Sequence, residues 1–229
     1  MGWKMIYLAR RNPALAPEQF PQAWREHSAL GAGCTNVRDK VLSVTQCSRV
    51  LEGPPLPGAS SDYDGVNLLA LRDLQAATDI WNDAETLAIM RPDEPRVFST
   101  YVREFTLVCQ ERVLRDAPRG RCCVVGFLRR RPGLTRAGFQ QAWAVAEASE
   151  LKTAGFTEAG RVVHNDVHAD PPPGYDYDGI AEWWFESADT ARRALDAGDL
   201  RSALRPALDG VTALDQSVFM FTRVTHSRP

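Results

Sequence analysis

Apolar and polar positions along this chain follow two periods in turn. Residues 4–8, 41–50, 66–71 and 98–108 are apolar or alternate with period two, as strands do. Between them, Phe20, Ala23, Trp24 and His27 recur at i, i+3, i+4 and i+7, one face of a helix. Pro17 and Glu18 suit the opening of that helix, and Gly31 and Gly33 its end. A second helical pattern, residues 74–90, sets Ala77, Ile80, Trp81 and Ala84 on one face. The same succession then returns. Strand-like runs occupy residues 122–128, 161–168, 180–185 and 217–224. Thr135 is placed to cap a helix bearing Phe139, Ala142 and Trp143, and residues 188–208 are helical with interruptions at Gly198 and Pro206.

The repetition extends to residue identity. Arg-Arg-x-Pro-x-Leu followed by Phe-x-x-Ala-Trp occurs within residues 8–27 and again within 128–146. One difference stands out: His27 is answered by Ala146. Proline- and glycine-rich loops, 53–58 and 171–174, and the triplets Tyr63-Asp64-Gly65 and Tyr177-Asp178-Gly179 also recur in order. Each half reads strand, helix, strand, strand, helix, strand, the ferredoxin-like split βαβ pattern. An open sheet face of that kind needs a cover, and two halves can cover each other. The expected class is therefore α+β: two ferredoxin-like (βαββαβ) repeats in one chain, forming an intramolecular pseudo-dimeric α+β barrel. The repeats are expected at 1–109 and 121–229, joined by a charged linker at 110–120.

Composition narrows the function. The chain has 27 basic and 29 acidic side chains among 229 residues. With no basic stripe interleaved with aromatics, no nucleic-acid partner is expected. Arg129, Arg130 and Arg131 form a short cluster at a strand end, a solvated edge or a grip for an anionic substrate. No apolar run reaches the roughly 20 residues of a membrane span, and no signal peptide is apparent. Five cysteines, an odd number without Cys-x-x-Cys spacing, fit a reduced, cytoplasmic protein. Adjacent Cys122 and Cys123 should point to opposite faces of their strand. Phosphate-binding loops, dinucleotide fingerprints and the nucleophile elbow are all missing, which disfavours nucleotide cofactors and serine hydrolase chemistry.

Arg10-Arg11-x-Pro13, Phe20, Trp24, His27, Tyr63-Asp64-Gly65, and Asp93-Glu94 followed by Phe98 together resemble the EthD domain family of the dimeric α+β barrel superfamily, in a tandem form. The second half matches at Arg130, Pro132, Phe139, Trp143 and Tyr177-Asp178-Gly179, and departs at Ala146 and around 213–215. The resemblance implies a pocket between sheet and helices in which histidine and tyrosine often work. It also implies a choice among cofactor-free cyclases, dehydratases, decarboxylases, quinone-forming monooxygenases and haem enzymes, and it favours the first half as the working one.

The residues themselves offer these candidates. His27 titrates near neutral pH and serves either as acid–base catalyst or as a core histidine satisfied by a carbonyl or carboxylate. Tyr63 and Asp64 either orient His27 and stabilise an oxyanion or, being duplicated, build a turn. His164, Asp166 and His168 alternate on one strand, lining a polar pocket or meeting solvent; the outer two stand ~13 Å apart, too far to share one metal ion easily. Tyr7, Trp24, Asn67, Trp81 and Tyr101 are substrate-binding candidates, or plain packing. Glu182, set beside Trp183 and Trp184, would act as an acid if burial raised its pKa. His226 falls in a terminal tail with no specific role. The expected activity is a cofactor-independent lyase, a dehydratase or cyclase, acting by acid–base chemistry on a small, mostly apolar carbonyl or phenolic, polyketide-like metabolite. The alternatives are a cofactor-free or haem-using monooxygenase and a non-catalytic small-molecule binding protein. No cofactor and no metal are expected, and further pairing into a homodimer is open.

Overall fold

A computed structural model describes residues 2–196 and 198–229. Its strands are β1 (Trp3–Ala9), β2 (Val41–Arg49), β3 (Gly65–Leu71), β4 (Thr106–Arg115), β5 (Cys122–Leu128), β6 (Arg161–Val167), β7 (Gly179–Phe185) and β8 (Val218–Arg228). Its helices are α1 (Phe20–Gly33), α2 (Thr35–Lys40), α3 (Leu74–Asp79), α4 (Ala84–Ile89), α5 (Glu94–Val97), α6 (Arg136–Glu150), α7 (Ala188–Ala194) and α8 (Leu200–Leu208).

The strands close into one barrel in the order β1, β3, β2, β8, β5, β7, β6, β4. Every pairing is antiparallel. The first half contributes β4-β1-β3-β2 and the second β8-β5-β7-β6, with seams where β2 meets β8 and β4 meets β6. Closure pairs the sheet edges that an isolated half would leave open.

Strand alternation sorts the core into an interior and two outer layers. Ile6, Leu8, Val66 and Leu68 from the first half pack with Val125, Phe127, Ile180 and Met220 from the second, filling the lumen. Met5, Tyr7 and Leu69 take the opposite faces and meet Phe20, Trp24 and Ile80 under the first-half helices. Val124, Trp183 and Phe219 meet Phe139, Trp143 and Leu204 in the second half. Cys122 and Cys123 fall in different clusters, as adjacent strand residues must.

The recurring Tyr-Asp-Gly triplet has a structural cause. At Gly65 a Cβ would stand 2.5 Å from Cζ3 of Trp24, and at Gly179 it would stand 2.4 Å from Cζ3 of Trp143. Both indoles lie directly on the strand, and only glycine admits them. The aspartates anchor the preceding arginines. Arg11 donates to Asp64 through its backbone N–H (3.0 Å) and Nη1 (2.9 Å), and Arg130 reaches Asp178 through the same two groups.

Several expected boundaries move. The first helix begins at Phe20, since residues 17–19 form a turn, and it ends at Gly33 as expected, with Cys34 as its extended C-cap. The single helix expected over 74–90 is two short ones, because Asp83 turns the chain and caps α4 through the Thr86 N–H. Phe98 only bridges to Arg11, and a 3₁₀ turn precedes β4. β4 continues to Arg115, so residues 110–115 of the expected linker are strand, held by pairing with β6. Pro206 sits inside α8 without ending it. β8 extends to Arg228, so His226 lies in a strand paired with β2, not in a tail. No helix among the described residues is long and apolar enough to cross a membrane.

Candidate active site

His27 emerges from α1 only 5% exposed, facing the sheet. Its Nδ1 stands 2.9 Å from Oδ2 of Asp93, and its ring meets Phe98 edge-on, with centroids 5.5 Å apart. Arg96 grips the same carboxylate, Nε to Oδ1 at 2.7 Å and Nη2 to Oδ2 at 3.1 Å. That guanidinium, foremost among several causes, holds the Asp93 carboxyl below its usual range. An ionised Asp93 accepts the proton of Nδ1 and so fixes the tautomer with Nε2 bare. Burial lowers the His27 pKa, and the attraction of Asp93 offsets only part of that.

The ring borders a cavity of about 60 Å³ between α1, α4 and the sheet. Tyr7, Asn67 and Gln46 stand side by side on β1, β3 and β2, joined by strand register, and all three line the cavity. Oδ1 of Asn67, Oε1 of Gln46 and Oγ1 of Thr86 are buried with no partner among the described residues. Orphaned acceptors of this kind are costly unless something fills the space and bonds to them. Burial, with the nearby Glu94 second, pushes the Tyr7 phenol upward, so it stays a protonated donor. Glu94 is raised by burial, while its Oε2 accepts from the Val102 N–H at 2.9 Å. Trp24, Trp81, Leu69 and Met90 supply apolar walls.

Five of the expected site residues, His27, Tyr7, Trp24, Asn67 and Trp81, thus meet around one cavity. The others do not join them. Asp64 does not orient His27; its carboxylate is occupied by Arg11 and, at 3.3 Å, by Arg49. Tyr63 lies under Arg10 in the lumen cluster that also holds Tyr177. Tyr101 is 39% exposed beneath Arg91 and walls a separate surface hollow.

In the second half, His164 is fully buried, its Nε2 2.9 Å from Oε1 of Glu150 and its ring stacked on Trp143 at 3.8 Å. Asp166 pairs with Arg112 at 2.6 Å. His168 lies past the end of β6, exposed against Trp3, so the three do not form one site. No group of three or more potential ligands among the described residues is placed to hold a metal ion. Glu182 is a lumen charge and not an acid. Burial, the largest single influence, raises its pKa, but Lys4 at 2.7 Å, Arg119 and the Asn165 hydrogen bond together leave it lowered; Trp184 also donates to it.

The second half has closed the equivalent space. Where the first half has Tyr7, Asn67 and Leu69, matched backbone contacts put Gly126, Ala181 and Trp183 in the second. The Trp183 ring lies where a Cβ on Gly126 would be 3.1 Å away. His27 is answered by Ala146. Asp93, five positions before the bridging Phe98, is answered by Ala207, five before the bridging Thr212. Asp93 was legible only as part of a motif near the last strand. The clue to its role is that both it and His27 lack a counterpart in the second half.

Comparison with known proteins agrees with this architecture. An anthrone oxidase-like protein shares 14% identity at a TM-score of 0.67, with 99% of this chain and 92% of that one covered. A candidate monooxygenase from Fusobacterium nucleatum subsp. nucleatum shares 7% identity at a TM-score of 0.59, covering 99% and 94%. A candidate chlorite dismutase shares 12% at 0.50, covering 97% and 94%. At these identities the likeness establishes the fold. Among curated proteins no sequence match was found. The expectation of a cofactor-independent lyase is corrected here: these three proteins, which share the barrel nearly end to end, carry the names of oxidative enzymes, and none is named a dehydratase or cyclase. The match to a known family falls on the half that holds the cavity: residues 12–100 match the family model of the EthD domain, within an α+β fold closed as an eight-stranded barrel.

Proposed function

We propose that the chain is a monooxygenase that works without a bound cofactor, oxidising a small, mostly apolar phenolic or carbonyl-activated aromatic compound in the first-half cavity. The observation that carries this reading is the His27–Asp93 pair, which leaves Nε2 unprotonated on a ring that lines the cavity. The names of the structural neighbours supply the oxidative direction. In the same reading the two halves are tandem ferredoxin-like repeats that have divided their labour.

The chemistry follows from the residues. Nε2 of His27 takes a proton from an acidic C–H or O–H of the substrate, leaving an electron-rich anion. Tyr7, a protonated donor, stabilises the developing oxyanion, and Asn67 and Gln46 orient the ring. The anion reduces dioxygen. One oxygen atom bonds to carbon, and the other leaves as water with the two hydrogens lost from a reacting CH₂ group, so a CH₂ and dioxygen become a carbonyl and water. Proton return from His27 to the departing oxygen closes the cycle.

Haem does not fit this site. A cavity of about 60 Å³ has no room for a macrocycle, and His27 is the only imidazole lining it among the described residues. His164, the other buried imidazole, is sealed between Glu150 and Trp143.

The test is dioxygen uptake by an oxygen electrode, with product analysis, across a panel of single-ring phenols that includes phenol, catechol and resorcinol. Uptake coupled to quinone formation is expected, reduced about 10²-fold or more in His27→Ala, the lower end for an acid–base group. No uptake with any member, or undiminished uptake in a folded His27→Ala variant, overturns the reading.

A further inference from the structure

One cavity wall comes from the other half of the chain. β8 pairs with β2, placing Arg228 opposite Val44, and Arg228 and Val44 both line the first-half cavity. Its Nε is buried with no hydrogen-bond partner among the described residues. Burial alone holds the guanidinium below its usual range. Glu94, the one carboxylate in the lining among the described residues, is turned to the Val102 N–H and Arg91. The neighbourhood is cationic: Arg228 and Arg25 together depress His226, after burial. A part-buried guanidinium without a counter-ion is costly, and a planar carboxylate is the group whose two oxygens match its fork.

We propose that Arg228 is a specificity-determining residue that receives a carboxylate of the ligand, so that the first-half pocket takes aromatic acids in preference to neutral aromatics. The inference rests on reading this cavity as the working pocket. It gives the second half a part in binding: it supplies the charge at one end of the pocket while the first half supplies the base. His27 and Arg228 then address different parts of one molecule, the reacting carbon and the anchoring acid.

The experiment is calorimetric titration of the full chain with benzoate and with benzamide, which have nearly the same shape and differ in charge. The wild type is expected to bind benzoate about tenfold more tightly, equivalent to about 1.4 kcal/mol. Arg228→Gln should bring the two affinities within about twofold, by weakening benzoate binding, without lowering the melting temperature. Arg228→Met serves as a second variant should the first not fold. A wild type without preference for benzoate, including one that binds neither compound, overturns the proposal, as does a preference that survives in the folded variants. His27→Ala should keep the benzoate preference. If dioxygen uptake fails while that preference holds, the oxidative reading alone is lost; if uptake holds while the preference fails, the anchor alone is lost.

Discussion

Nδ1 of His27 and Oδ2 of Asp93 lie 2.9 Å apart, and Arg96 holds Asp93 from its other side. The residues come from α1, from the residue preceding α5, and from within α5, and the fold alone brings them together. The arrangement sets which nitrogen of a buried imidazole is free to act. Replacing Asp93 with Asn keeps a hydrogen-bonding side chain but removes its charge. The rate should fall about 10- to 100-fold, part of what an acid–base group contributes. The acidic limb of the pH profile should move to lower pH, because Asp93 is what raises the His27 pKa against burial. A rate loss with an unmoved pH limb would remove Asp93 from the mechanism.

The pH dependence follows from the same pair. As a base, His27 must be neutral, and its pKa lies below the usual 6.5. The kcat/KM profile should therefore rise on its acid side below 6.5 and be flat above it. Stability has the same sign. Between the lowered folded value and the unfolded value near 6.5, the unfolded chain binds more protons, so this contribution is complete above 6.5 and is lost as pH falls towards the folded pKa. Denaturant titrations at several pH values in wild type and His27→Ala separate it from other groups: the difference between the two should shrink on acidification.

Asp64 is expected to matter for folding and not for turnover. It is 6% exposed and serves Arg11 twice and Arg49 once. Asp64→Ala should cost about 3 kcal/mol by leaving buried donors unpaired. Chemical denaturation measures that loss. Activity per folded molecule, taken at low temperature, should remain within about twofold of wild type, a change worth well under 1 kcal/mol.

Gly65 and Gly33 make a matched pair of tests. Gly65→Ala drives a methyl to 2.5 Å from Trp24 and, with Cys47 O at 3.0 Å behind it, should destabilise by about 1–3 kcal/mol. Gly33→Ala meets nothing within 4 Å at the end of α1 and should be neutral or stabilising by about 0.5–1 kcal/mol. Equal effects in the two variants would remove the close indole approach as the reason for the triplet's glycine.

The order of strands and helices could be read from the chain, because period-two and period-3.6 patterns are local and depend only on which side chains seek burial. The repeat of Phe20, Trp24 and Gly65 as Phe139, Trp143 and Gly179 marked the helix-to-strand contact twice. The contrast of His27 with Ala146 pointed to the half whose cavity His27 lines. Residues that meet through register or through packing of distant segments could not be read in this way. Asp93 lies 66 positions from His27, and Arg228 reaches the first-half cavity through closure of the barrel. Glu182 was open to being an acid until Lys4, 178 positions away, proved to be beside it. Local sequence specifies which face of an element is apolar; whether a buried charge is a catalyst, an anchor or half of an ion pair depends on its neighbours, and only the closed barrel sets those distances.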